Sequence, residues 1–494
     1  MRIHKWHSGL IFGVLGTLAL VGCGGGGGGN SSVSGGTIGT GTATIQGSVP
    51  GTVFMAVDND TNLEVGRVSA TGTPKTFSMV VTTGKNYRFY VMENEGTDNS
   101  RVYPMFLGTN NVFELDNAAN GQVIPLGMIN PDLGTGKAVP TNTPALMMGR
   151  GENAAVPSSL TGTAFSMENV KGTAWNYSTM MTSGTIGWEY GTLSFDSNGL
   201  GHMTGIVRNG ITQPDRNAIP YSMSLSGMLL SPIDNTFQCV VSRDGSAMVA
   251  TFTDNTGGPA MMIARKRGVV FNTDGSDMTG TWRFHRLTAG SDNTTSGWAY
   301  GTMQFTFGNA SIVSMTTNAG SGGGGNFTFS MDGHGILSEA GNASLHGVMS
   351  SDKSMILATD TVGGNPELWM LMKETTGTFS ATDMMGDWVM HAVSSGNPGS
   401  RGWTYDHSVV DASGNDTFSG MMGISGPVSS TQMTFQMNEG VMTMGSTGGG
   451  VGGGMMGGGL VTSSFHGIMN GARNIMVLTY SDESGGYPFS IQVK

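Results

Sequence analysis

Three segments of strict apolar–polar alternation, Tyr221-Ser-Met223-Ser-Leu225, Phe327-Thr-Phe329-Ser-Met331 and Met433-Thr-Phe435-Gln-Met437, begin at 221, 327 and 433, a period of 106 residues. Apolar residues at every second position describe a strand with one buried and one wet face. A repeat of this length means that one β unit occurs three times and that each copy must satisfy the same packing rules. Other landmarks keep the register. Trp175, Trp282 and Trp388 each follow a glycine closely, and Trp188/Tyr190, Trp298/Tyr300 and Trp403/Tyr405 form a Gly-Trp-x-Tyr series. Leu345-His346-Gly347 and Phe465-His466-Gly467 correspond to Phe237-Gln238-Cys239 in the first copy, and each copy closes on an apolar strand ending in Lys266, Lys373 or Lys494. The units run over 166–268, 276–374 and 380–494, the last lengthened by the glycine-rich insertion 448–459.

About eight short strands fit in each unit, with no helix of useful length. Two all-β architectures satisfy that count: an eight-stranded up-and-down meander closed into a barrel in each unit, or two four-stranded blades per unit forming one six-bladed propeller. Only 12% of residues are charged and 82 of 494 are glycine, yet 38% are hydrophobic, which suits short strands joined by tight turns rather than disorder. The formal charge of −11 argues against a nucleic-acid surface, and Arg265-Lys266-Arg267 is the one basic cluster. There is no Cys-x-x-Cys-His, so no covalent c-type haem is expected.

The N-terminus carries Arg2 and Lys5, then an uncharged stretch from Leu10 to Val21 that is too short to span a bilayer as a helix. It ends in Leu20-Val21-Gly22-Cys23, which resembles the lipobox of bacterial lipoproteins. The resemblance implies a signal peptide over 1–22, acylation of Cys23, and an anchor in the outer membrane, facing the periplasm or the cell surface, since residue 24 is Gly rather than Asp. Residues 23–42 are the lipidated cysteine and a glycine-rich tether with an r.m.s. reach of roughly 24 Å. With Cys23 acylated, Cys239 has no intrachain disulfide partner.

Residues 43–137 read as a β-sandwich. Val53-Phe54-Met55-Ala56-Val57, Phe77-Ser-Met79-Val-Val81 and Tyr87-Arg-Phe89-Tyr90-Val-Met92 are strand-favouring runs bounded by turn residues. Their order resembles the carboxypeptidase-regulatory and transthyretin-like modules of exported proteins, which implies a spacer or binding role. Asp58-Asn59-Asp60 suits an Asx-rich turn better than a calcium site. Residues 138–165, rich in Pro, Gly, Thr and Asn, read as a linker.

A Gly-x-Trp on the first strand and a lysine ending the last resembles the calycins. That resemblance implies a barrel in which the indole lies under the cation at the closed end, an interaction of ~0.5–2 kcal/mol. The first unit departs from the motif by one residue, Ala174. The pattern as a whole also resembles uncharacterised repeat lipoproteins of metal-respiring bacteria, which implies an accessory role at the outer surface.

No acidic residue recurs in all three units beside a Ser or His, so a non-catalytic binding or scaffold role is expected rather than an enzyme. A hydrolase of surface polymers and a metal-handling or electron-transfer accessory protein stand as alternatives. The candidate ligand-binding residues are Trp188, Tyr190, Trp298, Tyr300, Trp403, Tyr405, His346 and His466, with core packing as the plain reading of the aromatics. His285 and His391 are weak metal candidates, since no third ligand recurs beside them. The expected partners are the membrane, through the lipid, and a small apolar ligand, a glycan or an envelope protein. No cofactor is expected.

Overall fold

The computed structural model describes residues 41–494, without 52, 73, 96–99, 116–117, 133–134, 145–146, 161–162, 319–324, 376–377, 424–425, 428–431, 439, 445–464 and 483. The signal, Cys23, the tether as far as residue 40 and the insertion at 448–459 lie outside the described residues; the stretch read as tether to 42 ends in the strand Thr42–Ser48.

The N-terminal module is a two-sheet sandwich. One sheet has four strands, Thr76–Thr82, Thr42–Ser48, Gln122–Asp132 and Lys137–Pro140 in spatial order. The other runs Met148–Arg150, Val112–Glu114, Asn86–Glu93, Val53–Asp58 and Leu63–Ser69, with Arg101–Pro104 also on Asn86–Glu93. Alternation decides the inner face: Phe77, Met79 and Val81 are buried while their neighbours are exposed or partly so. Phe54 sits between the sheets, stacked at 4.0 Å on Phe77 and 5.4 Å on Phe89. The Asp58-Asn59-Asp60 segment is an Asx turn: Asp58 Oδ1 accepts from the Asp60 and Thr61 backbone N–H groups at 3.0 and 3.1 Å, and Oδ2 pairs with Lys85 at 2.7 Å.

One expectation needs correction. Part of the stretch read as a linker belongs to the sandwich, because Ala138 pairs with Pro131 and Gly149 with Phe113. Proline at an edge is compatible with strand pairing, so the Pro- and Gly-rich composition misled.

The three repeats are antiparallel meanders on one eight-strand plan, to which the first adds the short strand Ile211–Thr212 and the third Gly426–Pro427. In the second the strands are Gly280–Thr288, Gly297–Thr306, Asn309–Thr317, Asn326–Met331, Ile336–Glu339, Asn342–Met349, Met355–Val362 and Asn365–Lys373, and the sheet closes on itself. The first strand pairs with the eighth in every unit: Trp175 opposite Lys266, Trp282 opposite Lys373, and Val389 opposite Val493. That pairing makes barrels and excludes the propeller. The third unit closes through Gly402–Val410 and Asn415–Gly423. In the first, the fourth strand is split into Arg216–Pro220 and Ser222–Met223 on either side of Tyr221, beside Ala218 at φ 56°.

Inside each barrel the repeat tryptophan is fully buried, with the closing lysine Nζ at 6.0, 5.5 and 4.6 Å from the ring in units one to three. The Trp282 and Trp388 indole N–H groups donate to the Met278 and Met384 carbonyls at 2.6 and 2.7 Å, and that of Trp175 to Thr173 Oγ1 at 2.8 Å. Short helical turns, Ser276–Met278 and Ala381–Met384, place those two carbonyls. With Ala174 inserted, Trp175 still pairs opposite Lys266, but its indole bonds a threonine hydroxyl in place of a helical-turn carbonyl.

On the first and eighth strands the outward faces of the barrels are as buried as the interiors. Ile263, Met370 and Ile491, at one position of the eighth strand, share a single apolar cluster with Met180, Leu287 and Val393 of the first strand. Strands one and two of the first barrel pack on strands seven and eight of the second. The second barrel meets the third in the same way, and the third meets the first. Such contacts are heterologous, and here the rotation closes after three units.

Candidate functional site

Each seam between barrels carries the same tryptophan-to-hydroxyl hydrogen bond. Trp188 of the first barrel donates its indole N–H to Thr361 Oγ1 of the second at 2.8 Å. Trp298 donates to Ser481 Oγ of the third at 2.9 Å, and Trp403 to Thr253 Oγ1 of the first at 2.9 Å. Tyr190 stacks face to face on His346, and Tyr300 on His466, each at 3.5 Å between ring centres and 4° between planes. All eight candidate ligand-binding residues therefore lie on the outer walls of the barrels, where adjacent units meet; Tyr405 stacks on its own unit's Trp403 at 6.3 Å.

The weak metal candidates lie in the same seams. His285 Nδ1 is 2.9 Å from Thr479 Oγ1, and its Nε2 is 2.9 Å from His466 Nδ1. His391 Nδ1 is 3.1 Å from Thr251 Oγ1. Two imidazoles that hydrogen-bond each other do not both offer lone pairs to one ion. Among the described residues no group of three His, Cys, Asp or Glu is gathered to hold a metal. Burial holds the His285 imidazole well below the usual histidine range and pushes His346 and His466 down to about 4 and His391 to about 3. These rings are neutral at physiological pH.

The hydroxyl acceptors were not singled out from the sequence. They form a repeated signal on the seventh strand, Thr251-Phe-Thr253, Thr359-Asp-Thr361 and Thr479-Tyr-Ser481. Hydroxyls are common in strands, and the indole partners reveal what these three pairs do.

The barrel interiors differ. In the second, Phe305, Phe327, Phe329 and Trp369 fill the space and leave about 30 Å³. Beneath them Arg286 pairs with Glu367 at 3.2 Å, and Glu367 also accepts from Thr288 and Trp369 at 3.1 and 3.0 Å. Burial outweighs these partners and pushes the Glu367 carboxyl up to about 7. The third barrel buries a polar set, Asp406, Ser408, Asp416, Ser490 and Gln492, on the face opposite Tyr405, Phe489 and Ile491. Burial likewise raises Asp416 to about 7.

The first barrel keeps a mouth of about 220 Å³. Met203, Ile219, Tyr221, Phe237, Phe252 and Met262 form its apolar wall. At its rim the buried Glu189 accepts from Arg208 Nε at 2.9 Å, Arg216 Nη2 at 2.8 Å and Tyr177 Oη at 3.0 Å. The split at Tyr221 opens this barrel where its siblings are stitched shut. Cys239 lies in its core, and burial pushes the thiol up, which leaves it unreactive.

No protein-family model matches the chain, and no curated protein matches it. Among solved structures, the isotype 1 transferrin binding protein B of serogroup B Neisseria meningitidis is 11% identical, over 65% of this chain and 76% of that one, with a TM-score of 0.21. A variant of transferrin binding protein B from Haemophilus parasuis is also 11% identical, over 67% and 77%, with a TM-score of 0.20.

Proposed function

We propose that this chain is a non-catalytic binding protein, held at the outer membrane by lipid on Cys23, with the mouth of the first barrel as its ligand site. The observation that carries this reading is the cavity of about 220 Å³ in the first barrel, at a level where the second has only about 30 Å³. Ligand pockets usually run from about 300 to 1,000 Å³. The mouth therefore suits one apolar end of a larger molecule, an aromatic ring or a short acyl tip, with the rest outside among Glu189, Arg208, Arg216, Asp234 and Asp254. Those groups are fixed by ion pairs and turns, so they orient a ligand without supplying a nucleophile or a base.

The neutral dye N-phenyl-1-naphthylamine tests the reading. Its fluorescence is expected to rise saturably with the protein, and Met203→Trp, which fills the mouth, should abolish the rise. Equal dye binding by the variant overturns the assignment. The anchor is tested separately: Cys23→Ser should move the protein from the membrane to the soluble fraction of the producing cell. A variant that stays with the membrane removes the lipid from the proposal.

A further inference from the structure

The three seams share one backbone geometry but not one set of side chains. In the second–third seam, the His285 ring lies between Thr479 Oγ1 and His466 Nδ1, with 2.9 Å to each. The same position on the first strand of the first unit is Ser178. Register fixes the equivalence. Ser178 pairs with Tyr190 as His285 pairs with Tyr300, and His346 pairs with Thr359 as His466 pairs with Thr479.

The strands have not moved in to take up the difference. The Tyr–His stack is 3.5 Å and 4° in both seams. The Trp–Tyr separation is 5.6 Å in both, and the indole-to-hydroxyl bond is 2.8 Å in one and 2.9 Å in the other. A serine side chain thus stands where an imidazole fits. Ser178 Oγ, Thr359 Oγ1 and His346 Nδ1 are all buried without a hydrogen-bond partner in the protein. Three such atoms together are costly unless something answers them.

We propose that the seam between the first and second barrels is a binding site for a small planar nitrogen heteroaromatic of imidazole size, framed by Ser178, Thr359 and His346. A ring nitrogen that accepts can take the proton of Ser178 or Thr359. A ring N–H can donate to His346 Nδ1 in the neutral tautomer, as the two histidines share a proton in the neighbouring seam. The Tyr190–His346 stack walls the site on one side. A groove of about 690 Å³ opens over the same seam. It is lined by Trp188, Thr361, Ser344 and Asn365 among others and carries no charged side chain, so the entry favours an uncharged ring. The Trp188–Thr361 hydrogen bond lies between groove and site. The proposal is independent of the first barrel's mouth.

Imidazole itself is the probe, titrated by calorimetry into the full chain at about pH 8, where it is uncharged. One site is expected. Ser178→His places the ring covalently, so it should abolish imidazole binding and raise the melting temperature. His285→Ser should create a second such space and take the stoichiometry from one to two. Thr359→Val keeps the volume but removes one partner, and should weaken binding about fivefold to tenfold. No saturable binding to the native chain, or undiminished binding by Ser178→His, overturns the proposal. A stoichiometry of one in His285→Ser overturns the argument that the seams hold their spacing. If Ser178→His does not fold, Thr359→Val decides: unchanged affinity rejects the site.

Discussion

At the seams the three units repeat one another closely, with indole-to-hydroxyl distances of 2.8, 2.9 and 2.9 Å, whereas inside the barrels they share little beyond the tryptophan and lysine at the closed end. One interior is packed with aromatic rings around an ion pair, one adds a buried polar set to its apolar core, and one is partly open. The difference shows where a repeat is constrained. Every unit must present two complementary faces, one on strands one and two and the other on strands seven and eight, and an error on either breaks a neighbour. A barrel interior answers only to itself once its closed end is sealed.

The largest expected effect tests that claim directly. Trp188→Ala, Trp298→Ala and Trp403→Ala should each cost about 5 kcal/mol in denaturant unfolding, because each removes a large buried ring and strands a hydroxyl. Similar values for all three support seams of equal weight; one silent substitution breaks the comparison. Next comes the interior of the second barrel. Glu367→Leu alone should cost about 4 kcal/mol by leaving Arg286 buried without its carboxylate, while Arg286→Met with Glu367→Leu should restore near-native stability. A double variant as unstable as the single one would show that this interior is constrained as tightly as a seam.

Acid should act on the seams before it acts on the sandwich. His346 and His466 titrate at about 4 in the fold against about 6.5 in the unfolded chain. The neutral rings therefore give full stability above about pH 6.5, and it is lost as pH falls toward 4, by about 3 kcal/mol per histidine. Replacing His346 with Gln should flatten part of that limb in unfolding curves taken between about pH 7 and 4. The smallest effect concerns the closed ends. Lys494→Met should cost about 1 kcal/mol and Lys266→Met less, following ring distances of 4.6 and 6.0 Å. Thermal melts that reverse the order would remove the cation–ring contact from the account.

The parts of this molecule that were legible in the sequence are those settled within one sheet. Alternation at 221, 327 and 433 marked strands, and the Gly-x-Trp and lysine ends marked barrel closure, because these residues are paired by the closing ladder of a single unit. What each Trp-x-Tyr pair faced was not legible. Periodicity says that a side chain leaves the sheet on a given side, not whether water or another barrel waits there. Trp188, Trp298 and Trp403 looked equally suited to a ligand and to a core, and Thr361, Ser481 and Thr253 carried no mark of their own. The strand at 148–150 was missed because its partner, 112–114, is distant in sequence, and that at 137–140, a hairpin partner of 122–132, because proline and glycine dominate its surroundings. The first barrel's mouth depends on a backbone break at Tyr221 that composition does not announce.

The head-to-tail closure after three units bears on how such a chain is made. Copy number here is quantised: a chain of two units would carry one unmatched face of each kind and would tend to polymerise end to end. During synthesis the first unit's strands one and two find their partner once the second unit has emerged. Its strands seven and eight must wait for the third, so an apolar surface stays bare until the chain is nearly finished. A chaperone that shields this surface, or fast folding of the last unit, would set the yield of assembled protein.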